Sequence, residues 1–361
     1  MKTTQRLHDA GQSIWLDNIT RAILAGGTLA QYIEELSVTG LTSNPTIFDQ
    51  AIKNSPDYDA AIREKTAAGL SGEELFFELA LEDLTRAADL FRPIHEATNG
   101  VDGWVSLEVS PNLAYDTNST VTAAKGLHAR AGRPNLFIKI PGTAEGIPAI
   151  EEAIFAGVPV NVTLLFSREQ YVAAAQAYIR GIERRVAAGL NPHVGSVASI
   201  FVSRWDSAVT GKVPAELHGR LGIAMAQRTY KAYRNLLASD HWLRLLNFGA
   251  RSQRLLWAST GTKDPKASDV LYVKSLAAPH SVNTMPEKTL LALADHGEIG
   301  AMLPHDGGDA EEVLDRFAQA GVDVNGLAGD LQRDGAASFV ASWTELLACL
   351  VDKSTTLKKA G

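Results

Sequence analysis

The chain contains little of several residue types and patterns, and each shortage excludes a class of protein. It has a single cysteine, Cys349, among 361 residues. This excludes an intrachain disulfide and any zinc or iron–sulfur site built from several thiolates. Acidic residues outnumber basic ones by 41 to 34, and the formal net charge is −7. The balance provides no basic footprint for a nucleic-acid backbone, although a small anion needs only two or three local positive groups.

Long apolar stretches are also missing. The opening residues, MKTTQRLHDAGQSIW, lack the apolar core of a signal peptide, and no run approaches the roughly 20 apolar residues of a membrane span. Sequons for N-glycosylation occur at Asn18, Asn118 and Asn161, and without a secretory signal we interpret them as chance matches. We therefore expect a cytoplasmic globular protein that has no metal, membrane or nucleic-acid partner.

Short β-rich apolar runs alternate with longer segments whose apolar residues recur at helical spacing. We predict strands at residues 14–18, 40–44, 104–109, 136–140, 159–163, 197–202, 254–259 and 281–285. Such alternation indicates βαβ units and a parallel sheet, either a closed barrel or an open doubly wound sheet. No G-x-G-x-x-G follows the first strand, which favours the barrel. We predict one α/β domain over residues 1–361, a (β/α)8 TIM barrel with additional helices and a C-terminal helical extension.

Helices are predicted at residues 73–91, 213–237 and 337–351, among others, from the same apolar spacing. Ser71 with Glu74, and Ser167 with Gln170, have the spacing of a capping box, which marks the start of a helix. We expect one helix to begin after each of these serines.

Lys139 lies in the middle of the apolar strand Leu-Phe-Ile-Lys-Ile-Pro. Lysine is rarely buried without a partner, and a parallel strand is normally covered on both faces. An edge strand or a snorkelling side chain would be the structural interpretation. We favour a functional one, because a desolvated ammonium loses its proton more easily and a neutral amine attacks a carbonyl to form a Schiff base.

Polar side chains also follow the neighbouring strands. Residues two apart on a strand share a face, and this groups Thr42 with Asn44, Ser106 with Glu108 and Ser110, Asn161 with Thr163, and Ser199 with Phe201. Asp17 ends the first strand and Arg204 follows the sixth. Each residue alone has an ordinary interpretation, such as a helix N-cap or an ion pair with Lys139. Together they converge only if the strands form a ring, at the end where barrel active sites are built.

Five segments carry a family resemblance. They are GLTSNPTIF (40–48), SLEVSPNLAYDT (106–117), LFIKIPGT (136–143), VNVTLLFS (160–167) and ASIFVSRWD (198–206). In order and spacing they resemble the transaldolase family, and the chain is similar to its longer subfamily. The resemblance implies a (β/α)8 barrel with a Schiff-base lysine on the fourth strand and no metal or organic cofactor. It implies transfer of a dihydroxyacetone unit from sedoheptulose 7-phosphate or fructose 6-phosphate to glyceraldehyde 3-phosphate or erythrose 4-phosphate, in the non-oxidative pentose phosphate pathway.

The resemblance also implies a role for each matching residue. Lys139 matches the Schiff-base lysine, and Asp17 matches the carboxylate that removes the C4 hydroxyl proton. Glu108 and Thr163 match the pair that positions a catalytic water. The residues that match the substrate-binding positions are Asn44 and Asn161 at the dihydroxyacetone portion, and Ser199 and Arg204 near the phosphate.

One departure from the family pattern concerns the phosphate. The commonest form has a second arginine, in a Ser-Phe-Arg-Asn stretch after the seventh strand, where this chain has Ala-Ser-Thr-Gly-Thr-Lys-Asp (258–264). Lys263 is a candidate for the missing charge, and Ser259 with Thr260 for hydrogen bonds; a flexible turn is the alternative. The run is not a Walker A loop.

Two other functions remain open at this point. A Schiff-base lyase would release free dihydroxyacetone instead of transferring it. Phe201 bears on the choice between lyase and transferase, because it is placed to exclude water from the intermediate. The structural interpretation of Phe201 is core packing. A barrel that binds sugar phosphates without chemistry is the other possibility, against which Lys139, Glu108, Asp17 and Thr163 together argue. Family members occur as monomers and as homodimers, and the sequence does not distinguish these states.

Overall fold

Eight parallel strands form a closed barrel in the computed structural model, which describes residues 1–359. They run in chain order around the ring, and the last pairs with the first, Trp15 lying opposite Thr284. The strands are β1 (Gln12–Asp17), β2 (Val38–Thr42), β3 (Trp104–Glu108), β4 (Leu136–Pro141), β5 (Val160–Leu165), β6 (Ser196–Phe201), β7 (Arg254–Ala258) and β8 (Ser281–Met285). The predicted (β/α)8 barrel is confirmed.

Helices surround the barrel and fill the connections between its strands. They are α1 (Thr3–Asp9), α2 (Arg21–Ala25), α3 (Thr28–Leu36), α4 (Pro45–Asn54), α5 (Asp59–Ala67), α6 (Gly72–Ala97), α7 (Thr117–Ala131), α8 (Gly146–Phe155), α9 (Arg168–Ala187), α10 (Ser203–Ala208), α11 (Leu221–Leu237), α12 (Asp240–Asn247), α13 (Leu271–Ser275), α14 (Glu287–Asp295), α15 (Ala310–Gln319) and α16 (Val324–Lys359). Short 3-10 turns occupy Pro56–Tyr58, Pro111–Leu113 and Ala215–Leu217.

One predicted capping box forms and the other does not. The Ser167 side chain accepts the backbone N–H of Gln170, and the Gln170 side chain accepts the backbone N–H of Ser167, as predicted. The box at Ser71 is wrong: its side chain accepts no hydrogen bond at the start of α6. The helix starts there with Gly72 in a left-handed conformation, at a φ of +54°, so the chain does not pass directly from an extended cap into helix.

Two predicted helix boundaries also change. The segment 213–237 is not one helix, because a 3-10 turn and Gly219, at a φ of +69°, precede the true start at Leu221. Asp206 caps that start by accepting the N–H groups of Leu221 and Gly222. The segment 337–351 is only the middle of α16, which begins at Val324.

Aromatic rings close the amino-terminal end of the barrel. Trp104 of β3 stacks on Phe137 of β4 at 4.0 Å, and Trp15 of β1 lies 6.2 Å from Phe137. A Cβ on Gly40 would come within 2.6 Å of the Trp15 ring, so only glycine fits there. Because Phe137 points into the barrel, Lys139, two residues further along β4, points inward as well, nearer the carboxyl end.

The C-terminal helix α16 runs along one side of the barrel mouth. It contacts α4, α5, α6, β5 and the 3-10 turn after β3, and its residues Trp343, Leu346 and Leu350 are buried. By length and composition alone it is apolar enough to cross a membrane. In the fold, the buried apolar residues of α16 pack against those helices.

Candidate active site

The strand register brings the predicted site residues together at the carboxyl ends of the strands. Glu108 lies opposite Lys139, Lys139 opposite Asn161, and Pro141 opposite Thr163. In a closed barrel, residues at the same level on neighbouring strands surround one central pocket. These side chains, which we call the pocket residues and whose surroundings we call the pocket, therefore cluster at the end of the barrel where enzymes of this fold carry out their chemistry.

Lys139 is the central cation of this pocket. Only 6% of its surface is exposed. Its Nζ donates to the backbone oxygen of Ser43 at 2.9 Å and to Oε2 of Glu108 at 3.2 Å. The predicted burial and the suspected ion pair with Glu108 are both present, so the ammonium is held by one carbonyl and one carboxylate and its carbon stem is fixed by β4.

Two carboxylates share the pocket with Lys139. Burial raises the pKa of Asp17 above its ordinary value, while the O–H of Thr42, at 2.8 Å, and the charge of Lys139 act to lower it. Burial likewise raises the pKa of Glu108, and the nearby Lys139 opposes this shift. Raised carboxyl pKa values in a cleft are typical of groups that exchange protons during catalysis.

Two buried oxygens of the pocket have no hydrogen-bond partner among residues 1–359. They are Oε1 of Glu108 and Oγ1 of Thr163. A buried polar atom is normally satisfied by protein or by water, so these oxygens are available to a small molecule within the pocket. That the two residues act as a pair stays a prediction.

The two predicted amides occupy different environments. Asn161 is fully buried, donates to Ser106 Oγ at 3.1 Å and accepts from Ser199 Oγ at 2.7 Å. Asn44 caps α4, because its Oδ1 accepts the N–H of Ile47. The ordinary N-cap interpretation of Asn44 is therefore present, and it leaves the N–H₂ group of this side chain for other contacts.

Arg204 lies in the first turn of α10 and is held by aromatic rings rather than by an acid. Its guanidinium lies 5.1 Å from the ring centre of Phe201 and 5.8 Å from that of Phe339. Burial lowers its pKa below the ordinary value, and the negative charge of Glu108 opposes this. Among the ion pairs of the described residues, none joins Arg204 to a carboxylate. Its charge is thus available to an anion.

The segment after β7 reaches the same side of the pocket. Ser259 has a φ of +55°, and its Oγ lies 2.9 Å from Oγ of Ser203, the residue before Arg204. Lys263 is exposed, and its charge acts to lower the pKa of Asp17. Thr260 is turned away, since it donates to Asn283 and to the backbone oxygen of Thr284. Ser259 and Lys263 thus remain candidates for binding an anion.

Several contributing groups are not among the predicted site residues. The backbone oxygen of Ser43 binds Lys139, and the Thr42 hydroxyl contacts both Asp17 and Thr284, the latter at 2.6 Å. Thr42 shares a strand face with Asn44, which is a signal of its place in the site. No local signal marks the Ser43 carbonyl or the side chains that α16 contributes, because both depend on how distant segments pack. In residues 1–359, no group of three or more His, Cys, Asp or Glu side chains is arranged to hold a metal ion.

Comparison with known sequences shows the family to which the chain belongs. A family model described as Transaldolase/Fructose-6-phosphate aldolase matches residues 14–350. A protein named Transaldolase from Saccharopolyspora erythraea is 45% identical over 350 residues, 95% of each chain. One of the same name from Thermobifida fusca is 46% identical, over 95% of this chain and 96% of its own. Transaldolase 2 from a Nostoc species is 40% identical over 96% of each chain. The chain therefore belongs to the transaldolase/fructose-6-phosphate aldolase family.

Proposed function

We propose that this chain is a transaldolase that transfers a dihydroxyacetone unit through a Schiff base on Lys139. The donor is sedoheptulose 7-phosphate or fructose 6-phosphate, and the acceptor is glyceraldehyde 3-phosphate or erythrose 4-phosphate, as is typical of the family in the non-oxidative pentose phosphate pathway. The observation that carries the proposal is the buried Lys139 ammonium, 3.2 Å from Glu108, inside the barrel pocket. The relatives named Transaldolase support the same conclusion.

The first step joins Lys139 to the donor. The neutral Nζ attacks the C2 carbonyl to form a carbinolamine, and loss of water leaves a protonated imine. Both stages move protons, and Oε1 of Glu108 and Oγ1 of Thr163 are available to bind the water that carries them. Glu108 is already paired with Nζ through its other oxygen, so it can accept the proton that Lys139 releases before attack.

The second step breaks the bond between C3 and C4. Asp17 takes the C4 hydroxyl proton, the aldose product leaves, and the bonding electrons pass into the imine to form an enamine. The acceptor aldehyde then enters, the enamine carbon attacks its carbonyl carbon, and Asp17 returns its proton to the aldehyde oxygen, which becomes the new hydroxyl. Addition of water to the imine then releases the ketose product and returns Lys139. Asn161, held by Ser106 and Ser199, and the free N–H₂ of Asn44 are placed to bind the hydroxyls of the retained unit.

The phosphate is bound at the opposite end of the substrate. Arg204 offers a planar cation without a carboxylate partner, and Ser199, Ser259 and Lys263 are the accompanying groups that we propose. Phe201, which packs on Phe166 and beneath Arg204, helps to exclude water from the enamine. Exclusion of water favours transfer to an acceptor over release of free dihydroxyacetone.

The location, ligands, assembly and cofactor requirement of the enzyme form part of the same proposal. We propose a cytoplasmic enzyme whose ligands are sugar phosphates, with no nucleic-acid or membrane partner, acting as a monomer or a homodimer. The groups of the chain itself supply the nucleophile, the proton acceptors and the anion site, so the proposed reaction requires no cofactor. A net charge of −7 does not oppose this, because the anion is held by local positive groups.

Borohydride trapping tests the proposal. The protein is incubated with fructose 6-phosphate, reduced with borohydride, digested and analysed by mass spectrometry. The expected result is a dihydroxyacetone adduct on the peptide that contains Lys139, with no adduct in the Lys139→Met variant. An adduct on another lysine, or none in the wild-type protein, would refute the Schiff-base mechanism. Fast release of free dihydroxyacetone without erythrose 4-phosphate would instead favour the lyase.

A further inference from the structure

The C-terminal helix α16 contacts the barrel mouth through several residues, among them the amide of Gln332. Its Nε2 donates to the backbone oxygens of Gly142 and Leu164, each at 2.9 Å. These carbonyls follow β4 and end β5, the two strands that carry Lys139 and Thr163. One side chain thus links two catalytic strands to a helix more than 160 residues away in the sequence.

The carbonyl of Leu164 needs such a donor because β5 is irregular at this point. Leu164 has a φ of +59°, and the pairing of β5 with β6 shifts register between Val162 and Leu165. A leucine in the left-handed region is strained and persists only where its surroundings hold it. Gly335 leaves room for the Leu164 side chain in this conformation, since a Cβ at residue 335 would come within 3.0 Å of Leu164 Cδ2.

Thr163 is the residue that precedes this irregular point. Its backbone oxygen accepts the N–H of Gly142 at 2.8 Å, and the carbonyl of that same Gly142 is bound by Gln332. The Thr163 hydroxyl has no hydrogen-bond partner among residues 1–359. Its direction is therefore set by the backbone of β5 rather than by a neighbouring side chain.

We propose that Gln332 is a positioning residue for Thr163: by holding the carbonyls of Gly142 and Leu164, it fixes the β5 irregularity and so the direction of the Thr163 hydroxyl. This inference rests on the proposed function, in which Thr163 and Glu108 bind the water of imine formation. Through Gln332, the helix α16 thereby affects the formation of the imine.

A double-mutant cycle separates this role from simple anchoring of α16. Gln332→Met keeps the length of the side chain and removes its donors, and Thr163→Val removes the hydroxyl at nearly constant shape. We expect Gln332→Met to lower kcat and the rate of Lys139 adduct formation by about 10-fold, since small misplacement of a catalytic group has a large effect. KM for fructose 6-phosphate should change less than about twofold, and in the Thr163→Val background the same substitution should have almost no further effect.

Two further variants complete the test. Gln332→Glu has nearly the same volume but lacks the N–H donors and sets a carboxylate against the two carbonyl oxygens, so it should show at least the same loss even if the Met variant fails to fold. Ser342→Ala is the matched control, because it removes a hydrogen bond between α16 and Thr46 of α4, 2.9 Å long, that does not involve β5; its kcat should equal that of the wild type.

The outcomes distinguish the inference from the function on which it rests. If the Gln332 and Thr163 substitutions lower kcat independently, so that their effects multiply in the double variant, Gln332 only anchors the helix. A loss of kcat in Ser342→Ala equal to that in Gln332→Met would lead to the same conclusion. Unchanged kinetics in both Gln332 variants would also refute its positioning role while the wild-type adduct on Lys139 still forms. Absence of that wild-type adduct would refute the Schiff-base mechanism itself, and the role of Gln332 with it.

Discussion

The Arg204 side chain allows the sharpest test of how the substrate is held. Its guanidinium lies over the rings of Phe201 and Phe339, so truncation to alanine would remove side-chain volume beside the rings as well as charge. Arg204→Met keeps an extended apolar side chain between the rings and removes only the cation. The substitution therefore removes the contact with the phosphate of the substrate together with the weaker cation–π contacts to the two rings.

The size of the effect follows from the geometry of the free guanidinium. No carboxylate of the described residues forms an ion pair with Arg204, so its donors are available for a two-pronged contact with phosphate. Two hydrogen bonds to a charged group contribute about 3 kcal/mol at the low end of the usual range, which corresponds to roughly a 150-fold loss in kcat/KM. A donor sugar without phosphate does not make these bonds and should lose almost nothing.

The assay compares fructose 6-phosphate with unphosphorylated fructose as donor and uses the same acceptor in both cases. Arg204→Met should lower kcat/KM for the phosphorylated donor by roughly 150-fold and for fructose by less than about threefold. Arg333→Met is the matched control, because Arg333 is an exposed arginine of α16 that pairs with Asp330. Equal losses for the two donors would refute the phosphate role and show that Arg204 acts through packing.

Three further predictions follow, of which two concern the same pocket and one concerns a buried carboxylate of α6. Glu108→Gln should lower kcat by about 100-fold or more, and a kcat equal to that of the wild type would contradict its role. Burial raises the pKa of both Glu108 and Asp17, so the wild-type rate should fall on acidification at a pH above the ordinary carboxyl range, and the variant should keep only the part of this fall that Asp17 causes. Gly335→Ala should raise KM for phosphorylated donors severalfold, because the alanine Cβ would lie 3.0 Å from Leu164 and 3.3 Å from Arg204 and displace them. An unchanged KM would show that both side chains can move aside without affecting substrate binding. Burial raises the pKa of Asp83 from 3.8 to about 6 although the charge of Arg21 opposes the shift, so the folded state binds its proton more tightly and the unfolding free energy should fall as pH rises from about 4 to 6. Denaturant unfolding of Asp83→Asn should lack that slope, and an equal slope in both proteins would refute it.

Much of the site can be predicted from local pattern. Lys139 interrupts an apolar strand, and a charge in such a place requires a partner, which Glu108 supplies on the neighbouring strand. Asn161 and Thr163 share a strand face because strand side chains alternate. These inferences need only the identity of a strand and its neighbours, and the parallel register of the barrel confirms them.

Local pattern also misleads where the backbone departs from its usual form. Ser71 has the spacing of a capping box, yet Gly72 starts α6 in the left-handed region and the box does not form. Asn44 serves as a helix cap as well as a site residue. The spacing of two side chains predicts a hydrogen bond only when the backbone between them takes the expected conformation.

The sequence by itself determined the alternation of strands and helices and the polar residues at the strand ends, because each depends on patterns within short segments. It favoured the barrel over an open sheet through a missing nucleotide motif and a family resemblance. Only the tertiary structure decided which groups complete the ring of polar residues. The Ser43 carbonyl beside Lys139, the Phe339 ring beneath Arg204 and the Gln332 amide on Leu164 come from segments that meet through packing alone. Such contacts leave no periodic trace in the sequence, since their partners lie many residues apart and are joined by the closure of the barrel and the path of α16.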